Sequence, residues 1–489
     1  MTTSLKERTI SGMLWSFVRR SGNRIISFAS TLVLARLLTP EDYGIIGMIV
    51  VFTSLSLVFI DAGFTSALIQ KKEPTREDYS TVFYWNVIIS IILYVALFIA
   101  APAIATFYRM PLISAVLRVQ GIVLVLGALG AIQGVRLRKH LNFRKLAGIS
   151  LFSTTIGAVT GIIMAFSGFG VWSLVAKELI DRFCSLLLLW IGSSWRPLRV
   201  FSKNSFRELF NYGSLILLSH MTQSFVIQIQ SLIIGRVFSA RDLGFYTQAR
   251  HIHDIPHQTI TSVIDEVMFP VYSSLQDDMK KVVKAVKISL KSLVFLNFPL
   301  MLLLALIAEP LFVILLSDKW IESVPYFQIL CFGGMLYSLN TNNVSVIMSL
   351  GKSNYVLIAT LIKRGTTLLF VFIGLQFGIF GIVTGYTVSM YVWFPVNAYF
   401  MGKITGYGIS KQIKDIGPNY MMAIAVAFAT FLISQWIDLH FILMLIVQTV
   451  IFTALYIGAA YVFSIDGYKT YLEIMKGTFN KKTTASSTI

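Results

Sequence analysis

Arg20, Arg24, Ser27 and Thr31 fall at i, i+4, i+7 and i+11 and so make one polar face of a helix, with Arg19, Ser16 and Asn23 beside it. Guanidinium forks in such a row bind oxyanions through paired, charge-assisted hydrogen bonds. The competing reading is that Arg19, Arg20 and Arg24 lie one to two turns from a membrane interface and snorkel to lipid headgroups. Arg118 has no local partner. Lys177 and Asp181, and likewise Glu178 and Arg182, are spaced i,i+4 and read either as two structural ion pairs or as groups lining a cavity. Lys363 and Arg364 have no acidic neighbour within a turn.

Residues 250–266 are the most polar stretch, with Arg250, His251, His253, Asp254, His257, Gln258, Asp265 and Glu266 around Pro256. His253 and His257 have the spacing of a ligand pair, but His251 is on another face and no Glu completes an HExxH arrangement, so no metal is expected. Imidazoles titrate near neutrality, which makes Asp61, His253, Asp254 and His257 candidates for a coupling proton or cation. The plain alternative is a wet, kinked helix whose freed backbone groups meet water. A nucleophile triad, a phosphate-binding glycine loop and paired catalytic carboxylates are all missing, so neither catalytic residues nor a cofactor are expected. Arg19, Arg20, Arg24, Arg118, Lys177, Arg182, Arg250, Lys363 and Arg364 outnumber Asp61, Glu178, Asp181, Asp254, Asp265 and Glu266. That excess points to an anionic, phosphate-bearing guest.

These residues matter because of where they must sit. The 489-residue chain is 56% hydrophobic and 13% charged, with a mean hydropathy of +0.74. Soluble domains carry roughly 25% charge, so a soluble globule and a disordered chain are both excluded. Cys184 and Cys331 are far apart and exclude a disulfide scaffold. Apolar runs of about 20 residues, the length that crosses a bilayer as a helix, recur at 12–37, 43–70, 80–107, 111–135, 146–168, 169–192, 206–236, 241–270, 282–307, 320–349, 354–377, 380–402, 415–437 and 440–463. The expectation is an all-α polytopic membrane protein of about fourteen helices. The first run carries Arg19, Arg20, Arg24 and Arg36 and is not a secretory signal. Ionisable groups at bilayer depth are costly, so each is a candidate for function.

Lys and Arg crowd one set of alternate loops, for example Arg136, Arg138, Lys139, Arg144 and Lys145. The other set holds Arg36, Arg109, Arg236, Arg241 and Lys319. The positive-inside rule then places both termini in the cytoplasm. The basic loops are short and scattered, so nucleic acid is not an expected partner, whereas anionic membrane lipid is.

Residues 34–44, LARLLTPEDYG, are echoed at 234–244, IGRVFSARDLG, and FGVW at 169–172 is echoed by FGIV at 380–383, each expected in a tight turn. In the first pair Thr39 and Ser239 can N-cap a helix, with Asp42 and Asp242 at the third position. Two similar halves of six helices follow, 1–192 and 206–402, related by a pseudo-two-fold along the membrane normal. A helix pair at 415–463 and a cytoplasmic tail at 464–489 are appended. Arg20 and Arg24 correspond, at this offset, to His220 and Ser224.

With LARLLTPEDYG, DAGFTSALIQKK at 61–72, RLRKHLNFRKLA at 136–147, LGFYTQAR at 243–250 and MFPVYSSLQDD at 268–278, the chain resembles the polysaccharide-repeat-unit flippases (Wzx type) of the multidrug/oligosaccharidyl-lipid/polysaccharide exporter superfamily. The resemblance covers about 1–465. It implies translocation of undecaprenyl-diphosphate-linked oligosaccharide across the bacterial cytoplasmic (inner) membrane, with Arg19, Arg20 and Arg24 as the lumenal cations. It also suggests a polysaccharide polymerase and a chain-length regulator as partners. Two other readings stay open. A drug/cation or other small-molecule exporter of the same superfamily would favour a cavity with excess carboxylates. A membrane-embedded glycan polymerase would show a sizeable loop with paired carboxylates or arginine clusters.

Overall fold

The computed structural model describes residues 5–263, 267–437, 439–465 and 467–468. Among them every regular element is a helix, and the chain divides into two compact units, Met1–Thr247 and Gln248–Ile489. The first contains α1 (Leu5–Leu37), α2 (Pro40–Asp61), α3 (Phe64–Gln70), α4 (Arg76–Tyr108), α5 (Leu112–Gln120), α6 (Ile122–Lys139), α7 (Phe143–Phe166), α8 (Val171–Ile191) and α9 (Lys203–Val237). Helix α10 (Ala240–Val263) crosses the boundary. The second contains α11 (Phe269–Ser274), α12 (Met279–Leu306), α13 (Ala308–Leu316), a 3₁₀ turn (Asp318–Ser323), α14 (Val324–Ser349), α15 (Ser353–Leu375), α16 (Gly378–Thr405), α17 (Ile409–Ser434) and α18 (Phe441–Val462).

Every expected span is helical over its described residues, but not every span is one helix. Span 43–70 is broken at Ala62 and Gly63, both left-handed, and 111–135 is divided at Gly121. Helix α13 was not anticipated. Pro325 lies in the first turn of α14, where a missing N–H costs nothing, so it starts the helix and does not kink it. By length and composition nine spans among the described residues are apolar enough to cross a membrane. Those that are not correspond to α1, α8, α9, α10 and α14; α1, α8 and α10 hold most of the ionisable residues singled out above.

The first unit is knitted at its basic end. Phe64 of α3 meets Trp85 of α4 and Phe206 and Phe210 of α9 within about 6 Å, centroid to centroid. Beside this cluster Lys71 bridges Asp78 at 3.0 Å and Glu208 at 2.9 Å. Burial pushes the Lys71 ammonium down, but its hydrogen bonds to Glu208 and Asp78 outweigh that and hold its pKa above the usual value. Several basic loop residues serve as helix caps: Lys139 donates to the Ile69 carbonyl at the end of α3, and Lys145 to Gly192 at the end of α8.

The repeat at 34–44 and 234–244 is real in three dimensions. Thr39 caps α2 through Asp42, and Ser239 caps α10 through Asp242, with Asp N to hydroxyl distances of 3.3 and 3.1 Å. The two copies also pack on each other. A Cβ at Gly44 would lie 1.7 Å from the Ala240 carbonyl oxygen, and one at Gly244 would lie 1.8 Å from that of Pro40. Each glycine therefore admits the first residue of the other helix, a reciprocal contact with local two-fold character. The second echo differs from expectation. FGVW straddles the turn before α8, whereas FGIV lies inside α16, because that helix already starts at Gly378, whose positive φ completes the turn.

Gly44→Leu and Gly244→Leu are expected to destabilise the protein by at least about 1–3 kcal/mol, the cost of overpacking a close contact. Gly365→Ala on α15, where a Cβ meets open space, is expected to be neutral or slightly stabilising. Thermal unfolding in detergent compares the three.

Candidate functional site

Helix α8 carries the charged core of the first unit. Its four ionisable groups do not pair with each other as i,i+4 spacing allows. Lys177 Nζ donates instead to Ser30 Oγ of α1 at 2.8 Å, Gln120 Nε2 of α5 donates to Glu178 at 2.5 Å, and Thr154 Oγ1 of α7 donates to Asp181 at 3.3 Å. Neighbouring helices offer neutral donors at the right height, and these take the carboxylates' hydrogen bonds while Lys177 and Arg182 stay close enough to act on Asp181 electrostatically. Arg182 is left to line a cavity of about 270 Å³ with Arg19 of α1 and Arg138 of α6.

The structure separates the arginines of α1. Asn23 donates to Ser150 of α7 at 2.6 Å, and Gly12 and Gly22 abut Phe143 and Leu151 of the same helix. That face, with Arg19, is turned into the unit. Arg20 and Arg24 lie on a different face and are exposed, Ser27 is half-buried, and Thr31 is buried farther along the stripe. Arg118 does have a partner, one that sequence distance conceals: its guanidinium stacks on the Phe98 ring of α4 at 4.5 Å and donates to the Phe98 carbonyl at 3.3 Å. Asp61 is engaged locally. Its Oδ1 accepts from the backbone N–H of Thr65 at 3.3 Å and from the Thr65 hydroxyl, which caps α3.

In the second unit the polar core is neutral. Asn342 accepts from Tyr272 of α11 at 2.8 Å and Ser289 of α12 at 3.0 Å, Asn340 accepts from Asn397 of α16 at 2.8 Å, and Asn343 donates to Gln412 of α17 at 3.0 Å. Asn340, Asn342 and Asn343 are thus packing contacts of α14. On α10, Asp254 lies 3.8 Å from Arg250 and 3.2 Å from His253. The His253 ring is buried against Gly334 of α14, where a Cβ would lie 2.6 Å from Nε2. The side chain of His257 and the whole of Asp265 and Glu266 lie outside the described residues. Lys363 and Arg364 are half-buried on α15. No cluster of three metal-ligating side chains occurs among the described residues.

A family model described as "Polysaccharide biosynthesis protein" matches residues 33–325, more than half of the chain. The chain belongs to the polysaccharide biosynthesis protein family. It is 27% identical over 343 residues to the succinoglycan biosynthesis transport protein ExoT of Rhizobium meliloti, covering 70% of this chain and 69% of that one. To the teichuronic acid biosynthesis protein TuaB of Bacillus subtilis it is 24% identical, with 88% and 90% covered. The lipopolysaccharide biosynthesis protein WzxC of Escherichia coli is 24% identical, with 71% of each chain covered. Among solved structures the fold is similar to the lipid II flippase MurJ in an inward closed conformation. That match has a TM-score of 0.75 at 15% identity and covers 92% of this chain and 98% of that one. It is also similar to an inward-facing multidrug resistance transporter of the MATE family, with a TM-score of 0.61 at 17% identity, covering 80% and 99%. The protein is therefore a multi-pass membrane member of a transporter fold, as the hydropathy and the motifs at 34–44 and 136–147 imply.

Three participants in this family member's polar core went unnoticed in the sequence. Arg138 reads as an orienting loop charge, and Gln120 and Ser30 as ordinary helix residues.

Glu178→Ala would strand the buried Gln120 amide and is expected to cost about 1–3 kcal/mol, the penalty of an unsatisfied buried polar group. Glu178→Gln keeps an acceptor and is expected to lose less. Unfolding midpoints in detergent make the comparison.

Proposed function

We propose that the protein is a flippase that moves undecaprenyl-diphosphate-linked oligosaccharide repeat units from the inner to the outer leaflet of the bacterial cytoplasmic membrane, for cell-surface polysaccharide synthesis. Its lobes are residues 1–192 and 206–402, the helices that did not qualify as spans by composition also cross the bilayer, and both termini are cytoplasmic. The observation that carries the reading is the charge arrangement of the first unit. Glu178, Asp181 and Asp61 are satisfied by Gln120, Thr154 and Thr65, while Arg20 and Arg24 stand exposed on α1. Half-buried carboxylates so engaged are poor ligands for a cationic drug, and exposed guanidiniums are good ones for a diphosphate. The named relatives, which act in polysaccharide synthesis, agree.

In the first unit the diphosphate and sugars are met by Arg20 and Arg24. In the second unit, taken by itself, helices α17 and α18 enclose an apolar groove of about 850 Å³ lined by residues such as Met421, Met422, Ala425, Ala454 and Leu455, beside a smaller cavity of about 220 Å³ bordered by Lys291, Lys414 and Asp415. Lys363, Arg364 and Arg250 are further cation candidates, and Asp254 with His253 is the candidate for proton coupling. No chemical bond is made or broken, so the protein is a transporter and not an enzyme. It works beside a polysaccharide polymerase and a chain-length regulator.

The test is export in a flippase-deficient strain. The double variant Arg20→Ala, Arg24→Ala should lower surface polysaccharide about ten-fold or more, the effect of losing about 1.4 kcal/mol of charge-assisted binding, with lipid-linked repeat units accumulating on the inner leaflet. Unchanged export at equal expression contradicts the reading.

A further inference from the structure

The cavity lined by Arg19, Arg138 and Arg182 has features of a ligand site that lies wholly within the first unit. Three guanidiniums from three helices converge on it, with the Ser185 hydroxyl beside them. No carboxylate lines it. Asp61 and Asp181, the acids in its neighbourhood, accept hydrogen bonds from Thr65 and Thr154 and act on Arg138 and Arg182 electrostatically from outside the lining. Arg19 Nε is buried and has no hydrogen-bond partner. Three like charges around one cavity repel one another, and a buried donor without an acceptor is costly. Both penalties are relieved by one anion with several oxygens.

The cavity's space is made by one face of α6. Gly127, Gly130, Ala131 and Gly134 line it, and a Cβ at Gly127 would meet nothing within 4 Å. Glycine there does not serve packing and costs about 1 kcal/mol relative to alanine in a helix. A volume near 270 Å³ admits a phosphate with its ester carbons and not an oligosaccharide. Arg138 lies one residue before the end of α6, next to the basic loop that contains Arg144 and Lys145. The positive-inside rule puts that loop at the cytoplasmic headgroups. Arginine forks from several sides suit the oxygens of a phosphate ester.

We infer that this cavity holds the phosphate of a membrane lipid, between the half-buried Arg19 and the exposed Arg138 and Arg182, as a site separate from Arg20 and Arg24 of α1. The chemistry is shared by an anionic phospholipid and by a prenyl diphosphate. The site is argued from its own charge and space and stands whether or not the protein is a flippase.

Binding decides it. The purified full-length protein is delipidated in neutral detergent and exposed to phosphatidylglycerol alone, to undecaprenyl diphosphate alone, or to phosphatidylcholine alone, with retained lipid counted by native mass spectrometry. Wild type should retain phosphatidylglycerol or undecaprenyl diphosphate but not phosphatidylcholine, and whichever is held identifies the source. Arg138→Gln with Arg182→Gln should weaken retention about ten-fold or more. Gly127→Leu, which fills the cavity and leaves all three arginines in place, should do the same. Thermal unfolding confirms that each variant is folded. Equal retention by wild type and by folded Gly127→Leu for both anionic lipids, or retention of neither by wild type, overturns the site.

Discussion

A carboxylate held among apolar helices must be satisfied, and in the first unit the half-buried ones accept hydrogen bonds from neutral donors. Gln120 serves Glu178, Thr154 serves Asp181 and Thr65 serves Asp61. Helix spacing alone would pair Lys177 and Arg182 directly with those carboxylates; instead Lys177 reaches Ser30 and Arg182 lines a cavity with Arg19 and Arg138. The choice is available because α5, α7 and α8 bring an amide, a hydroxyl and a carboxylate to the same height.

In the second unit the polar network around α14 meets the same constraint without charge. Asn340, Asn342 and Asn343 on α14 reach Asn397, Tyr272, Ser289 and Gln412 on the helices around it. Amides and hydroxyls can give and accept at once, so such a core closes on itself and leaves no net field. Two ways of burying polarity thus occur in one chain: one stores positive charge and the other only fastens helices.

How much of this the sequence shows depends on the range of the interaction. Helix positions, the Thr39 and Ser239 caps, the polar stripe of α1 and the excess of cations are local or compositional, and all were legible. Partners across helices were not. Arg118 has no neighbour in its own helix, yet it lies on Phe98, and the i,i+4 pairs of α8 lose to donors from other helices. The Arg19, Arg138 and Arg182 cavity needs three helices at once, and nothing in the spacing of Arg138 sets it apart from a loop charge. The break at Ala62 and Gly63 escaped for another reason. Hydropathy runs through it unchanged, and only backbone conformation marks it.

In the proposed mechanism the first unit presents the exposed cations Arg20 and Arg24 to an anionic guest. The most direct test is a binding isotherm for a prenyl diphosphate in neutral nanodiscs, taken at several salt concentrations and set against a prenyl ammonium of equal chain length. The account predicts that the diphosphate binds, that its affinity falls as salt rises, and that the ammonium binds more weakly at every salt concentration. Preference for the ammonium, or a diphosphate affinity indifferent to salt, would contradict it.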